Sequence, residues 1–133
     1  MTVKLEGSCH CKLVRYEVDG DFTDETLCHC TICRQTSGAP LVAWFTVSRD
    51  GFRLTSGKPA RYQSSEHGTR AFCPRCGTLL TFASSQHPTK IDVTTCSLTD
   101  PHKVPPRDHT FTRSRIGWMA TAQTLPQFPG PRS

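Results

Sequence analysis

The chain reads as an all-β domain of short, mostly antiparallel strands joined by metal-binding loops. Three observations predict this. Apolar residues either alternate with polar ones or gather in short runs bounded by Gly, Pro, Ser or Asp. Helical periodicity is nearly absent. Seven of the eight cysteines stand in C-x-C or C-x-x-C spacing, which suits metal-holding turns. At 133 residues, a single domain over residues 1–133 can bury a working core without staples.

Taken in order, Val14, Tyr16 and Val18 alternate with Arg15 and Glu17 as a half-buried strand, and Asp19-Gly20-Asp21 turns the chain. One or two helical turns are expected after Cys30. Leu41 to Val47 (LVAWFTV) is a strand buried on both faces, and Phe52 and Leu54 mark a short one between Gly51 and Gly57. Further strands are expected at Ala60 to Ser65, Thr69 to Phe72, Thr78 to Ser84 and Lys90 to Leu98, each rich in Thr, Val, Phe or Tyr. Six of the ten prolines lie at or after Pro101, so the last third should run extended over the sheet. Phe111 and Trp118 are expected to pin that wrap to the core, ahead of a loose tail at about 127–133.

The formal charge is +5, yet the sixteen Lys and Arg are scattered singly, and two zinc ions on seven thiolates would bring the total to about +2. That argues against a nucleic-acid partner. No apolar run is long enough for a membrane span, and the first residues lack the apolar stretch of a secretion signal. A cytoplasmic location and reduced cysteines are therefore expected, so metal binding is preferred to a disulfide framework.

The cysteines form the groups Cys9-x-Cys11, Cys28-x-Cys30-x-x-Cys33 and Cys73-x-x-Cys76, with Cys96 alone. Zinc bound tetrahedrally to sulfur at about 2.3 Å sets neighbouring sulfurs about 3.8 Å apart, within reach of such pairs. In FCPRCG, Pro74 fixes a φ angle and Gly77 can take a positive one, so backbone N–H groups can approach the sulfurs. A redox role for Cys73-Pro74-Arg75-Cys76 fits poorly, because β-type runs flank it on both sides. Spacing leaves open which pairs combine. Cys9, Cys11, Cys73 and Cys76 could close one site and leave Cys28, Cys30 and Cys33 with three donors, or Cys96 or a histidine could complete the second. A closed site is structural, whereas three protein ligands leave a position for water or substrate.

The chain resembles the glutathione-dependent formaldehyde-activating enzymes, a family that includes centromere protein V. The resemblance is carried by GSCHC at Gly7 to Cys11, CHCTICR at Cys28 to Arg34, SGAPLVAWF at Ser37 to Phe45, FCPRCGT at Phe72 to Thr78, DVTTCSLTDP at Asp92 to Pro101 and a final W...LPQF at Trp118 to Phe128. It implies an Mss4-like β fold, a structural zinc on Cys9, Cys11, Cys73 and Cys76, and a catalytic zinc on Cys28, Cys30 and Cys33. The partners implied are glutathione and formaldehyde, joined by a carbon–sulfur lyase or synthase to S-hydroxymethylglutathione. The chain departs from the family's usual residues at Gln35, Cys96 and Thr99, none of them an implied ligand.

A zinc ion on three thiolates carries a net charge of −1, which suits it to accept a fourth thiolate better than to activate water. A thiol of pKa about 8.5 is only about 3% ionised at pH 7, so full ionisation gains at most about thirtyfold. Anything larger must come from holding the aldehyde beside the sulfur. A carrier of glutathione, or a non-catalytic zinc module binding a protein or nucleic acid, is the alternative reading.

Among individual residues, His29 is a candidate proton relay or substrate contact, although a side chain inside C-x-C usually points away from the metal. Arg34 is a candidate contact for a glutathione carboxylate. His10 should be exposed, Cys96 should be a buried thiol on a strand, and His109 should be structural. Trp44 and Phe45 should fill core, with one face of their strand available to line a pocket.

Overall fold

The computed structural model describes residues 4–132. Ten strands and one short α-helix form two sheets. Strands β1 (Lys4–Ser8), β2 (Arg15–Asp19) and β5 (Phe52–Ser56) make a three-stranded antiparallel sheet in the order β1-β2-β5. The second sheet holds β3 (Phe22–Cys28), β4 (Val42–Ser48), β6 (Ala60–Gln63), β7 (Gly68–Phe72), β8 (Leu79–Ser84), β9 (Lys90–Thr94) and β10 (Asp108–Thr110). Its order is β10-β3-β4-β9-β8-β7-β6, and every pair is antiparallel except β10 with β3. Helix α1 (Thr31–Ser37) follows Cys30 directly. No helix among the described residues is long and apolar enough to cross a membrane.

The core follows from the period of two along each strand. Leu5, Tyr16 and Val18 from the small sheet, with Val14 just before β2, meet Phe45, Val47, Leu80, Ile91 and Val93 from the large one, and Cys9 and Cys73 belong to the same cluster. Strand β4 is buried on both faces, as its sequence predicts: Phe45 and Val47 face this core, while Val42 and Trp44 form a second, smaller cluster with Cys28 and Cys33. Tyr16 stacks on Phe52 at 5.2 Å, and its hydroxyl lies 2.6 Å from Ser97 Oγ. Gly7 has to be glycine, because a Cβ there would collide with the Tyr16 ring and the Ser97 carbonyl.

Burial pushes the Tyr16 phenol from its ordinary 10.0 up to about 12. The folded state thus holds this proton more tightly than the unfolded one. The associated stability, about 3 kcal/mol, is fully present below pH 10 and lost as pH rises through 12. Tyr16→Phe should flatten the fall in unfolding free energy between pH 10 and 12 relative to wild type. Parallel denaturant-derived curves for the two proteins would refute this.

Four expectations need correction. Strands β1, β3 and β10 carry too few alternating apolar residues to stand out, since β1 pairs a glycine with one leucine and FTDETLC is mostly polar. The β9 run ends at Thr94, and Cys96 lies exposed in a 3₁₀ turn (Thr95–Ser97), neither on a strand nor buried. Phe111 and Trp118 do not pin the last third to the core: they are 49% and 59% exposed. Val104 is the fully buried side chain there. Beyond β10 the chain runs through 3₁₀ turns at Thr112–Ser114 and Gly117–Thr124. Ser133 of the expected tail lies outside the described residues.

Candidate metal centre

All eight cysteines are free thiols, and seven of them converge into two clusters whose sulfurs lie within 4.8 Å of one another in each cluster. Cys9 and Cys11 come from the turn after β1, and Cys73 and Cys76 from the turn after β7, so the first cluster ties the small sheet to the large one. Cys11 Sγ stands 3.6 Å from Cys9 Sγ and 3.7 Å from Cys73 Sγ, close to the sulfur spacing around a tetrahedral zinc. The backbone N–H groups of Val14, Arg75 and Cys76 donate to these sulfurs at 3.3 to 3.4 Å, and Arg75 Nε donates to Cys11 Sγ at 3.2 Å. Gly77 takes φ +83°, which closes the turn by its N–H bond to the Cys73 carbonyl. The Thr78 hydroxyl and backbone stabilise the exposed Cys76 thiolate and hold its pKa down to about 5. Four sulfurs, ringed by donors that favour the thiolate form, fit zinc as a closed set.

The second cluster is built differently. Cys28 ends β3, Cys30 caps α1 with its Sγ accepting from Cys33 N at 3.2 Å, and Cys33 sits in the first helical turn. The helix therefore presents two sulfurs toward the one on the strand, and Cys33 Sγ donates to Cys28 Sγ at 3.5 Å. That contact lowers the Cys28 pKa and, together with burial, raises that of Cys33. Among the described residues, no fourth Cys, His, Asp or Glu joins the set. Three converging sulfurs fit a zinc ion with one position left over.

Arg70, from β7, is the feature that sequence reasoning missed. It is 4% exposed, and its Nη1 and Nη2 lie 3.8 and 3.7 Å from Cys33 Sγ. Nε donates to Ser64 Oγ at 3.0 Å, and the guanidinium lies over the rings of Phe82 (4.9 Å) and Trp44 (5.8 Å). No carboxylate pairs with it among the described residues. A buried charge needs a partner, and here the sulfur of Cys33 takes that place. The only sequence hint is an Arg at an inward position of GTRAF, which burial alternation alone does not mark as functional.

The triad opens into a cavity of about 550 Å³. Strand register orders its floor: Arg70 pairs with Phe82, Phe82 with Asp92, and Asp92 with Thr46, a row running cation, aromatic, anion and hydroxyl across four strands. Asp92 accepts from Thr46 Oγ1 at 2.7 Å, and burial raises its pKa, with Asp24 adding to the rise. Phe111 and Arg113, which follow β10 at the far edge of the sheet from β7, also line it. Trp44 lines this cavity while Phe45 fills the core, so the two residues divide between the faces of β4.

His29 and Arg34 are not among the cavity's lining residues. His29 is 1% exposed; its Nε2 lies 2.9 Å from His109 Nδ1, and its backbone N–H donates to the Thr110 carbonyl at 3.0 Å. His109 is thus the companion of His29, and β10 straps the Cys28–Cys30 loop from outside. Arg34 lies on α1 with its Nε buried and without a hydrogen-bond partner. His10 is exposed, as expected, and Cys96 joins neither cluster.

Comparisons with known proteins place the chain among relatives. A Halomonas elongata protein named for the formaldehyde-activating family is 29% identical over 125 residues, covering 86% of this chain and 79% of that protein. A Schizosaccharomyces pombe protein described as an uncharacterized lyase is 32% identical over 80 residues, 60% of this chain and 58% of its own length. The crystal structure of a Rhodobacter sphaeroides protein superposes with a TM-score of 0.63 at 25% identity, covering 80% of this chain and all of that one. The pattern of the glutathione-dependent formaldehyde-activating enzymes matches residues 4–114, and the chain belongs to that family.

Proposed function

We propose that this chain joins a small thiol, glutathione, to a small aldehyde, formaldehyde, as a carbon–sulfur lyase or synthase. Cys28, Cys30 and Cys33 would hold the metal at which the reaction occurs, and Cys9, Cys11, Cys73 and Cys76 a structural one. The observation that carries this reading is the incomplete triad facing a cavity of about 550 Å³, with no fourth donor among the described residues. When bound there, zinc supplies the stabilisation of an incoming thiolate. Trp44 and Phe82 give the adjoining wall an apolar surface that limits water and holds a small aldehyde near the sulfurs. Asp24 and Asp92 offer an anionic end to the ammonium group of glutathione, and the exposed Arg113 offers a cation to one of its carboxylates.

The test is exchange NMR on the zinc-loaded protein with glutathione and formaldehyde. Catalysis is expected to broaden the hydroxymethyl resonances beyond the uncatalysed rate, in proportion to protein concentration. Exchange unchanged at stoichiometric zinc would remove the enzyme reading, and glutathione binding without faster exchange would make the protein a carrier.

A further inference from the structure

We propose that Arg70 is a catalytic residue whose guanidinium donates to the aldehyde oxygen while the carbon–sulfur bond forms. This rests on the thiol–aldehyde reading above. Its Nε is committed to Ser64, whereas Nη1 and Nη2 reach Cys33 Sγ only at 3.7 to 3.8 Å, and the residue lines the cavity. Five N–H groups in a planar fork exceed what Ser64 and one sulfur can accept, so donor capacity remains for an oxygen beside the triad. The bond to Ser64 and the contacts with the Phe82 and Trp44 rings hold the fork in place, so little reorganisation is needed when charge develops. Arg113, which lines the same cavity and is exposed, is the better partner for a substrate carboxylate; Arg70 is buried beside the sulfurs instead.

The step balances without a redox partner. A sulfur electron pair forms the S–C bond, and the carbonyl π pair moves to oxygen, which Arg70 stabilises by hydrogen bonding. That oxygen then takes from water the equivalent of the proton the thiol released, giving R–S–CH₂–OH. Arg70 acts as a hydrogen-bond donor only, and no proton passes from it to the product.

The experiment compares zinc-loaded wild type, Arg70→Met and Arg70→Lys by three readouts: exchange rate, glutathione affinity by calorimetry, and zinc content. Loss of one preorganised donor to a developing oxyanion typically costs about 100-fold or more in rate. Arg70→Met should lose about 100-fold in exchange rate with both zinc ions retained and glutathione affinity within about threefold, and Arg70→Lys should recover part of the rate. A Met variant with the wild-type rate overturns the proposal. So does loss of triad zinc in proportion to activity, which would make Arg70 a structural counter-ion. Should the Met variant fail to fold, the Lys variant decides: an unchanged rate overturns the proposal, and a reduced rate at full zinc content supports it. Wild type without acceleration instead sinks the preceding reading and this proposal together.

Discussion

Cys73→Ser is expected to leave the chain unfolded at 25 °C. Cys73 is fully buried within the principal core and belongs to the four-sulfur cluster that joins the turn after β1 to the turn after β7. Those turns follow strands of different sheets, and a metal held by the four sulfurs would tie them together. A structural zinc contributes about 10–16 kcal/mol of apparent binding free energy in small domains, and this appears as folding free energy. Ordinary domains keep only about 5–15 kcal/mol of net stability, so losing a ligand there exceeds the margin. Circular dichroism and the dispersion of amide NMR signals report the outcome, and chelation of both metals should have the same result. A cooperatively folded Ser variant with wild-type dispersion would show that the cluster is not a folding element.

Cys33→Ser is expected to give the opposite pattern: a folded chain, metal content falling from about two to about one per molecule, and exchange activity at the uncatalysed level. Cys33 belongs to the smaller cluster with Cys28, Val42 and Trp44, away from the contact between the sheets. Helix α1 keeps its other determinants, the Cys30 cap and the left-handed Gly38 whose N–H donates to the Arg34 carbonyl at 2.7 Å. The cost should be about 1–3 kcal/mol, the penalty of an imperfectly paired buried hydroxyl beside Arg70. Metal analysis and a thermal melt of the same sample separate the two quantities. Two metals retained, or complete unfolding, would contradict the assignment of this triad as the exchangeable site.

The two clusters differ in how much of their architecture local spacing encodes. C-x-C and C-x-x-C pairs announce half-sites because the ligand distance is set within a single turn, and such turns need little from the remainder of the fold. The pairing of Cys9 and Cys11 with Cys73 and Cys76 is a property of two sheets facing each other, which spacing leaves undetermined and family resemblance supplies. Strand β4 was legible from its continuous apolar run, because burial on both faces removes polar positions. Strand β3 was not, because its exposed and cavity-lining positions carry Thr and Asp, and its buried position 25 carries Glu, where a core strand would carry Val. Arg70 was invisible for a related reason. Its importance lies in what β7 places it against, the sulfur of Cys33 37 residues earlier, and no local pattern records that.

The parallel pairing of β10 with β3 also sets an order of assembly during synthesis. The four-sulfur cluster has all its ligands once residue 76 has left the ribosome, whereas the His29–His109 and His29–Thr110 contacts span 80 residues or more and wait for β10. A nascent chain halted before Asp108 would thus hold its structural anchor while the loop bearing Cys28 and Cys30 still lacked its outer support. Completion of the three-sulfur end is thereby deferred until translation is nearly complete through the family-matched region, which ends at residue 114.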